Sequence, residues 1–261
     1  FVDTSRIYMD SETNLGKALG KRRGDVIIAS KSFSRTREEV LADIETSLQE
    51  LRTDHIEIYQ VHALYPDEVR PFFAKNGGME GFRAAKEQGL IHHIGLTSHH
   101  ISVLLELART GEFDTVMFPF NVIEREAEKE LIGLCRSLDI GTLVMKPLAG
   151  GAIRNRACAF RFFNAYPVDV ILNGVASVAE LRENIAHVAD GRPLTAEELS
   201  ALEEEVAPLG KEFCRRCGYC MPCPSDIRIP DMIHIFYQAV KGIPFEELPP
   251  DKKETGRNLL L

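Results

Sequence analysis

The sequence predicts an α/β barrel of parallel strands and crossover helices, followed by a short cysteine-rich module. Three observations carry this prediction. Short apolar runs rich in Val and Ile alternate with amphipathic helical stretches over residues 1–190. The ends of these runs recur at intervals of about 24 to 35 residues, which is the length that a parallel strand and its crossover helix require. Four of the six cysteines fall within ten residues near the C-terminus.

Seven strand ends follow one another along the chain, and the first belongs to a strand that we expect to begin upstream of Phe1. The strands are predicted at residues 1–3, 25–30, 56–61, 91–96, 115–120, 141–145 and 168–172. This series fits a (β/α)8 TIM barrel that lacks its first β/α unit in this chain. A doubly wound open sheet is the alternative. It is disfavoured because no Gly-x-Gly-x-x-Gly motif follows a strand and because polar candidates occur at nearly every strand end.

Helices are predicted between the strands wherever apolar residues recur at helical spacing. Thr36 and Glu39 form a capping-box pattern before a helix whose apolar face includes Val40, Ile44 and Leu48. The other predicted helices lie at residues 80–88, 101–110, 125–138, 155–165 and 178–188, and a second capping box at 195–198 opens a helix that runs to about residue 209.

The composition is that of an ordinary globular protein, with 44% hydrophobic and 27% charged residues in a chain of 261. The net charge of -8 argues against a nucleic-acid partner, because binding to a phosphate backbone needs a basic surface. No run of 18 apolar residues is present, so no membrane partner is expected. A tight group of cysteines in a long chain favours a metal site over a disulfide framework, which indicates a reducing, cytoplasmic setting.

Four polar residues at or just beyond the first three strand ends form a candidate catalytic group: Asp3, Tyr8, Lys31 and His62. Active sites of α/β barrels gather at the carboxyl ends of the strands, so residues far apart in sequence meet there. A nearby ammonium favours the phenolate of a tyrosine, and a lysine held by an aspartate would supply that charge. A histidine can orient a carbonyl by a hydrogen bond. The set predicts protonation of a carbonyl oxygen while a hydride arrives at the carbon.

The same segments resemble the aldo-keto reductase family. The likeness begins in Phe1-Val-Asp-Thr-Ser-Arg-Ile-Tyr8 and continues through residues 9–12, 15–19, 28–31, 59–62, 86–98, 118–121, 147–151 and 174–184. The resemblance implies a barrel enzyme that reduces an aldehyde or ketone to an alcohol, or runs the reverse, by hydride transfer from NADPH or NADH. It implies Tyr8 as the general acid and base, Lys31 and Asp3 as groups that tune it, and His62 as the group that orients the carbonyl.

The resemblance also implies the residues that hold the nicotinamide cofactor. They are Asp3, Thr97, Ser98, Asn121, Lys146, Leu148, Gly174, Ser177 and Asn184. Four sites depart from the family pattern. Met117 stands where a Gln is common, and Met145-Lys146 where an aromatic-Ser pair is common. Thr97-Ser98 stands where a Ser-Asn pair is usual, and Glu180 stands where an arginine often binds the 2′-phosphate of NADP. A carboxylate repels a phosphate and accepts hydrogen bonds from ribose hydroxyls, so the choice between NADP and NAD stays open.

The second strong motif is Cys214-Arg-Arg-Cys217-Gly-Tyr-Cys220-Met-Pro-Cys223-Pro. Spacing of three residues lets thiolates converge on one centre, and the trailing proline resembles the cysteine run of bacterial ferredoxins. The motif resembles the module fused to one branch of aldo-keto reductases, which implies a [4Fe-4S] cluster bound by Cys214, Cys217, Cys220 and Cys223. A structural zinc ion is the alternative, because four thiolates suit it equally. The fourth ligand stays open between Cys223 and the two cysteines of the barrel.

We therefore expect two parts, the barrel at residues 1–190 and a helical extension with the four-cysteine module at residues 191–261. The leading function is an NAD(P)H-dependent aldo-keto reductase acting on a small-molecule carbonyl substrate. The alternative is an electron-transfer or regulatory binding module that uses the iron–sulfur cluster with an external redox protein partner. A cluster passes single electrons whereas nicotinamide passes a hydride, so in the enzyme we expect a structural cluster or one that serves that partner.

Overall fold

The strands form one parallel sheet in which chain order and spatial order are the same. The computed structural model describes residues 1–207, 220 and 223–233. The strands are β1 (Val2–Asp3), β2 (Ile28–Ser32), β3 (Ile56–Val61), β4 (Ile91–Thr97), β5 (Thr115–Pro119), β6 (Gly141–Met145) and β7 (Val170–Leu172). Each pairs in parallel with its chain neighbour. A doubly wound sheet would reverse this order at a switch point, so the unbroken order is that of a barrel.

Helices follow the strands, with two differences from the predicted set. The α-helices are α1 (Ser11–Leu19), α2 (Arg37–Leu51), α3 (Val69–Phe73), α4 (Gly78–Glu87), α5 (Ile101–Ala108), α6 (Leu131–Ser137), α7 (Arg156–Arg161), α8 (Val178–Ala189) and α9 (Ala196–Val206). The stretches predicted as single helices at 125–138 and 155–165 each divide into a 3-10 turn and a short α-helix. Helices α1 and α3 have no counterpart among the predicted helices. Among the described helices, none is both long and apolar enough to cross a membrane.

Side-chain caps mark where four of these helices begin, and Asn155 caps α7 by accepting from the N–H of Cys158 at 3.1 Å. Thr36 accepts a hydrogen bond from the backbone N–H of Glu39 at 3.4 Å, which caps α2. Ser177 caps α8 in the same way. Thr195 and Glu198 form the predicted reciprocal capping box at the start of α9. These caps satisfy backbone donors that the first turn of a helix leaves unpaired.

Alternation along β3 divides its side chains between two faces of the sheet. Tyr59 points to the helix-covered face, where its hydroxyl lies 3.0 Å from that of Ser47 in α2 and its ring packs on Phe82 of α4. Gln60 points to the opposite, interior face, where a Cβ on Gly95 would lie 2.7 Å from its side chain. Only glycine allows β4 to pack this closely on Gln60.

Helix α1 packs on the end of α2 and holds the connection that follows β1. A Cβ on Gly16 would lie 2.3 Å from the carbonyl oxygen of Glu50, so this approach requires glycine. The carboxylate of Glu12 in α1 is buried and accepts hydrogen bonds from Arg6 and from the Ser30 hydroxyl of β2. The connection between β1 and α1 is therefore bound to β2 through a buried ion pair.

Helix α9 docks on α7 at both of its ends. Near its start, Glu198 accepts two hydrogen bonds from the guanidinium of Arg161, at 2.6 and 2.7 Å. Near its end, Glu205 accepts hydrogen bonds from the backbone N–H groups of Arg154 and Asn155, just before α7. Helix α9 therefore runs antiparallel to α7, and its last turn lies at the end of α7 that follows β6.

Two strand edges and one helix face are left uncovered by the described residues. Within the described part of the chain, no strand pairs with the outer edge of β1 or of β7. Helix α8 exposes an apolar stripe at helical spacing, formed by Val178, Leu181, Ile185 and Val188. Unpaired strand edges and apolar stripes are typical of surfaces that pack against another part of a structure.

Candidate active site

The carboxyl ends of β1 and β2 bring Asp3 and Lys31 into a buried ion pair. The ammonium of Lys31 donates hydrogen bonds to Asp3 at 2.5 Å and to the backbone carbonyl of Thr4 at 2.7 Å. Gln60 of β3 donates to the second carboxylate oxygen of Asp3 at 3.1 Å. Because Lys31 is only 2% exposed, the pair is almost fully removed from solvent. Three neighbouring strands thus hold one pair of opposite charges.

Tyr8 lies beside this pair, in the connection between β1 and α1. The Lys31 nitrogen is 5.0 Å from the centre of the Tyr8 ring. The ring of His62, the first residue after β3, meets that of Tyr8 edge to face at 6.1 Å. Tyr8 is 43% exposed, so a molecule in solution has access to it. The structure therefore brings the four predicted catalytic residues together.

The imidazole of His62 is held on several sides. Its Nδ1 lies 3.1 Å from the hydroxyl of Ser5. Its ring packs on that of Phe33 with 4.1 Å between centroids, and the guanidinium of Arg35 lies 5.7 Å from the Phe33 ring centre. Arg35 also donates to the backbone carbonyl of His62 at 2.9 Å. These contacts determine where the imidazole sits at the strand ends.

Burial determines the protonation states of the two groups that would face a substrate. Burial lowers the pKa of His62 to about 3, and the positive charges of Lys31 and Arg35 add to this effect. His62 is therefore neutral near pH 7. Burial raises the pKa of Tyr8 to about 12, and the Asp3 carboxylate adds to it. Tyr8 is therefore a protonated phenol, which is the state of a proton donor.

The pKa of Tyr8 is not lowered by the nearby Lys31 ammonium in this state of the protein, and the role of Lys31 toward the phenolate stays a prediction. The Lys31 ammonium is paired with Asp3, and the field of an ion pair is weaker than that of a lone cation. Burial and the Asp3 carboxylate therefore outweigh the effect of the Lys31 ammonium on the phenol, and the pKa of Tyr8 rises. Burial also lowers the pKa of Lys31 and raises that of Asp3, against their mutual attraction.

Three residues predicted to contact the cofactor, Thr97, Ser98 and Asn121, are buried at the ends of β4 and β5. Thr97 accepts a hydrogen bond from the N–H of Ala63 at 2.8 Å, and Ser98 donates to the carbonyl of Leu64 at 2.9 Å. The Asn121 amide bonds to the backbone both as acceptor, at 2.9 Å, and as donor, at 3.0 Å. These bonds shape the loops that follow the strands, and a role toward the cofactor stays a prediction.

The other predicted cofactor residues are Lys146, Leu148, Gly174, Ser177 and Asn184. The first two follow β6, the next two lie between β7 and α8, and Asn184 lies within α8. The side-chain oxygen of Asn184 is buried and has no hydrogen-bond partner among the described residues. A buried acceptor without a partner costs about 1–3 kcal/mol, and an amino group of an adenine would supply the missing donor. The roles of these five residues toward the cofactor stay predictions.

The four-cysteine motif lies only in part within the described residues. Cys214 and Cys217 fall outside them, Cys220 is exposed and Cys223 is half-buried. Within the described ranges, no group of three or more His, Cys, Asp or Glu side chains is arranged to hold a metal ion. Because half of the motif is outside these ranges, the predicted cluster is not tested.

The two cysteines of the barrel, Cys135 in α6 and Cys158 in α7, are both buried. Burial raises the pKa of the Cys135 thiol to about 11, which disfavours the thiolate that binds a metal. Both side chains belong to the hydrophobic core. Their surroundings are those of small apolar residues.

The sequence analysis did not predict four residues of the site: Ser5, Phe33, Arg35 and Gln60. Gln60 carried a signal, because it is polar and lies two residues before His62, on the same face of the strand. Phe33 and Arg35 carried the weaker signal of a position just after a strand end. Ser5 carried none, since small hydroxyl residues are common in loops.

The aldo/keto reductase family profile matches residues 1–159, which is more than half of the chain. The chain is 23% identical over 258 residues to the oxidoreductase YqkF of Bacillus subtilis (strain 168), across 78% of this chain and 82% of that protein. It is 30% identical over 117 residues to the NADH-specific methylglyoxal reductase of Escherichia coli (strain K12), across 44% of this chain and 35% of that protein.

A solved structure of an aldo-keto reductase from Klebsiella pneumoniae, in complex with NADP and acetate, shares the fold. The TM-score is 0.64 at 20% identity, across 77% of this chain and 78% of that one. At this identity the likeness establishes the fold alone, whereas the profile match establishes the family. The chain therefore belongs to the aldo/keto reductase family, as an oxidoreductase that reduces carbonyl groups with NAD(P)H.

Proposed function

We propose that Tyr8 donates the proton and His62 orients the substrate when this aldo-keto reductase reduces an aldehyde or ketone. The observation that carries the proposal is the grouping of Tyr8, His62 and the buried Asp3–Lys31 pair at adjoining strand ends. The phenol is protonated near neutral pH, as an acid must be, because the pKa of Tyr8 is raised to about 12. A neutral imidazole beside it offers a hydrogen bond without competing as an acid.

A bound reduced nicotinamide would supply the hydride for the carbonyl carbon, and the side chains of this protein act on the carbonyl oxygen. His62 donates a hydrogen bond to that oxygen, and Tyr8 transfers its phenolic proton to it. The alcohol forms, and the Tyr8 phenolate takes a proton back from solvent. Lys31, 5.0 Å from the ring centre, stabilises the phenolate while it exists. In the reverse direction the phenolate accepts the proton of the alcohol.

The substrate is proposed to be a small carbonyl compound. The Escherichia coli relative is a methylglyoxal reductase, so methylglyoxal is a suitable first substrate. Loss of absorbance of the reduced nicotinamide, followed with methylglyoxal and simple aldehydes, measures the reaction. If neither NADH nor NADPH is consumed, the activity is absent and the alternative, a binding module, gains support.

Glu180 is proposed to favour NADH over NADPH. The residue lies in the first turn of α8, where it accepts a hydrogen bond from the N–H of Ala176 at 2.7 Å and pairs with Arg156 at 3.3 Å. The 2′-phosphate of NADPH carries roughly two negative charges and is repelled by a carboxylate. The ribose hydroxyls of NADH, by contrast, can donate to it.

Replacing Glu180 by arginine is expected to lower the KM for NADPH relative to that for NADH by about tenfold, because a guanidinium pairs with a phosphate. Steady-state kinetics with both cofactors measure the ratio. The matched control is Glu106→Arg, which makes the same change in charge at an exposed position of α5. Equal ratios in Glu180→Arg and the wild type would contradict the role of Glu180.

The four cysteines Cys214, Cys217, Cys220 and Cys223 are proposed to bind a [4Fe-4S] cluster, with a zinc ion as the alternative. Their spacing supports the proposal. The direction of α9 supports it too, because its last turn lies beside the start of α7, on the side where the strands end. A structural cluster would bind the extension at residues 191–261 to the barrel. That division of the chain, a redox protein partner and a cytoplasmic setting stay predictions.

Replacing Cys217 by serine is expected to remove the metal and to lower the melting temperature by about 5 °C, with activity falling only in proportion to unfolded protein. Iron and zinc are counted in anaerobically purified protein. The buried Cys158→Ser, a thiol outside the motif, is expected to keep the metal. Zinc without iron would contradict the cluster. Lost activity at unchanged stability would contradict a structural role and favour electron transfer to a partner.

One further β/α unit is proposed to close the barrel between β7 and β1. The outer edges of both strands are unpaired among the described residues, and a strand between them would pair in parallel with both. Its helix would cover the apolar stripe of α8 at Val178, Leu181, Ile185 and Val188. The sheet then has the eight strands of the predicted barrel.

A further inference from the structure

Ser5 is a buried residue of the connection between β1 and α1, and its hydroxyl has two acceptors within reach. The residue is 1% exposed. Its Oγ lies 3.1 Å from Nδ1 of His62 and 3.2 Å from the backbone carbonyl oxygen of Lys31. A hydroxyl carries one hydrogen, so Ser5 donates fully to only one of these acceptors.

The Lys31 carbonyl has a second donor, whereas Nδ1 of His62 has no second partner. The backbone N–H of Arg6 donates to the Lys31 carbonyl at 3.0 Å. In the part of the chain that the structure describes, Ser5 is the sole hydrogen-bond partner of Nδ1. The carbonyl therefore stays bonded when Ser5 turns its hydrogen toward Nδ1. In the opposite arrangement Ser5 would donate to the carbonyl and accept from a protonated Nδ1. Both arrangements keep Nδ1 bonded, so the proton that a substrate requires of the other ring nitrogen decides between them.

The position of the His62 ring decides which nitrogen a substrate meets. The ring packs on Phe33 at 4.1 Å, and Arg35 holds the His62 backbone carbonyl at 2.9 Å. With Nδ1 engaged by Ser5, Nε2 is the nitrogen left for a ligand. A carbonyl oxygen only accepts hydrogen bonds, so Nε2 must carry the imidazole proton in order to bind it. If Nδ1 carried the proton instead, Nε2 would present a lone pair to the oxygen.

We infer that Ser5 sets the tautomer of His62, by donating to Nδ1 so that the single imidazole proton resides on Nε2 and is offered to the substrate oxygen. The hydrogen bond at one histidine nitrogen decides which nitrogen is protonated. Ser5 is thus a positioning residue that acts through His62. The inference rests on the proposed role of His62 in carbonyl reduction.

Nitrogen-15 NMR of the imidazoles reads the tautomer without any turnover. In protein labelled with 15N-histidine, the His62 signals, identified by their loss in His62→Gln, are expected to show a protonated Nε2 and a bare Nδ1. Ser5→Ala is expected to shift them toward a mixture of the two tautomers. Ser11→Ala is the matched control, because it removes a nearby hydroxyl that bonds to Thr4 at 2.8 Å and not to His62. It is expected to leave the His62 signals unchanged.

Kinetics supply the second readout. Ser5→Ala is expected to lower kcat for carbonyl reduction by about tenfold, which is less than the loss of a direct acid or base, with the KM for the nicotinamide unchanged. Ser5→Cys keeps a similar volume and a weaker donor, so its kcat is expected to lie between those of Ser5→Ala and the wild type. If Ser5 had only a structural role, kcat of the wild type, Ser5→Cys and Ser5→Ala would not follow the hydrogen-bond donor strength of residue 5.

Two results would overturn the inference: a protonated Nδ1 in the wild-type protein, or a His62 spectrum that Ser5→Ala leaves unchanged. The first result needs no variant, so it tests the inference even if Ser5→Ala does not fold. A different result tests the proposed function: if His62→Gln reduces carbonyls as fast as the wild type, His62 does not orient the substrate. Failure of the tautomer inference and failure of the proposed function can be told apart, because the spectra are measured without turnover.

Discussion

Replacing Tyr8 by phenylalanine is expected to lower kcat for carbonyl reduction by about a thousandfold, within the range that general acid catalysis contributes. The phenylalanine ring keeps the contacts with His62 and the Lys31 ammonium but has no proton to donate. Binding of the reduced nicotinamide, followed by fluorescence, is expected to stay at the wild-type level. Steady-state kinetics of the variant measure the loss.

The matched control is Tyr59→Phe, which removes a phenol hydroxyl from the helix-covered face of β3. That hydroxyl bonds to Ser47 at 3.0 Å, so its loss costs about 1 kcal/mol of stability and leaves kcat within roughly twofold of the wild type. If Tyr8→Phe retained more than about a tenth of the wild-type kcat, well above the general-acid range, Tyr8 would not be the acid.

The pH profile checks the same role of Tyr8 in the wild-type protein. Reduction requires the protonated phenol, and with the pKa of Tyr8 raised to about 12 that form predominates throughout the neutral range. Loss of the phenol proton is therefore not expected to lower kcat for reduction until pH approaches 12. Oxidation of the alcohol requires the phenolate, whose fraction rises about tenfold per pH unit below the pKa. A rate of oxidation that is flat with pH would contradict this role.

Replacing Lys31 by methionine is expected to abolish carbonyl reduction and to lower the free energy of unfolding by about 3–5 kcal/mol. The lysine is 2% exposed and its ammonium donates to Asp3 and Thr4, so the variant leaves a carboxylate without its counter-ion in a largely buried place. Urea unfolding measures the change in stability, and nicotinamide oxidation measures the activity.

The double variant Asp3→Asn/Lys31→Met separates stability from catalysis. Removing both charges is expected to restore the free energy of unfolding to within about 1–2 kcal/mol of the wild type, because no unpaired charge remains. Asparagine also keeps an acceptor for the Gln60 amide, which donates to Asp3 at 3.1 Å. Activity is expected to stay lost, since no cation remains beside Tyr8. The single variant Asp3→Asn completes the cycle. If the stability losses of Asp3→Asn and Lys31→Met simply added in the double variant, the ion pair would not act as a unit.

The sequence predicted where the strands lie and which four residues form the candidate catalytic group. It did not predict where a helical stretch divides into shorter helices. Each predicted strand at 25–30, 56–61, 91–96, 115–120, 141–145 and 168–172 has its counterpart, because buried parallel strands are continuous apolar runs. The stretch at 125–138 reads as one helix but breaks at Glu130, whose φ of -147° is far from helical. Such a break depends on how the segment packs on its neighbours, which periodicity does not record.

The sequence by itself determined the parallel order of the barrel, the family, and the convergence of Asp3, Tyr8, Lys31 and His62. Parallel strands place their carboxyl ends on one side, so a residue at each end is enough to predict a shared site. Only the tertiary structure decided the protonation states. Burial and the Asp3 carboxylate raise the pKa of Tyr8, which keeps the phenol protonated near neutral pH.

The tertiary structure alone also placed Ser5 against His62, and Gln60 against Asp3. These contacts join residues 57 positions apart in the chain. They depend on the register between strands and on the path of one connection. Local residue patterns in the sequence indicate where strands lie and where they end. Distances between side chains, and the burial that sets their pKa values, arise only when the strands pack together.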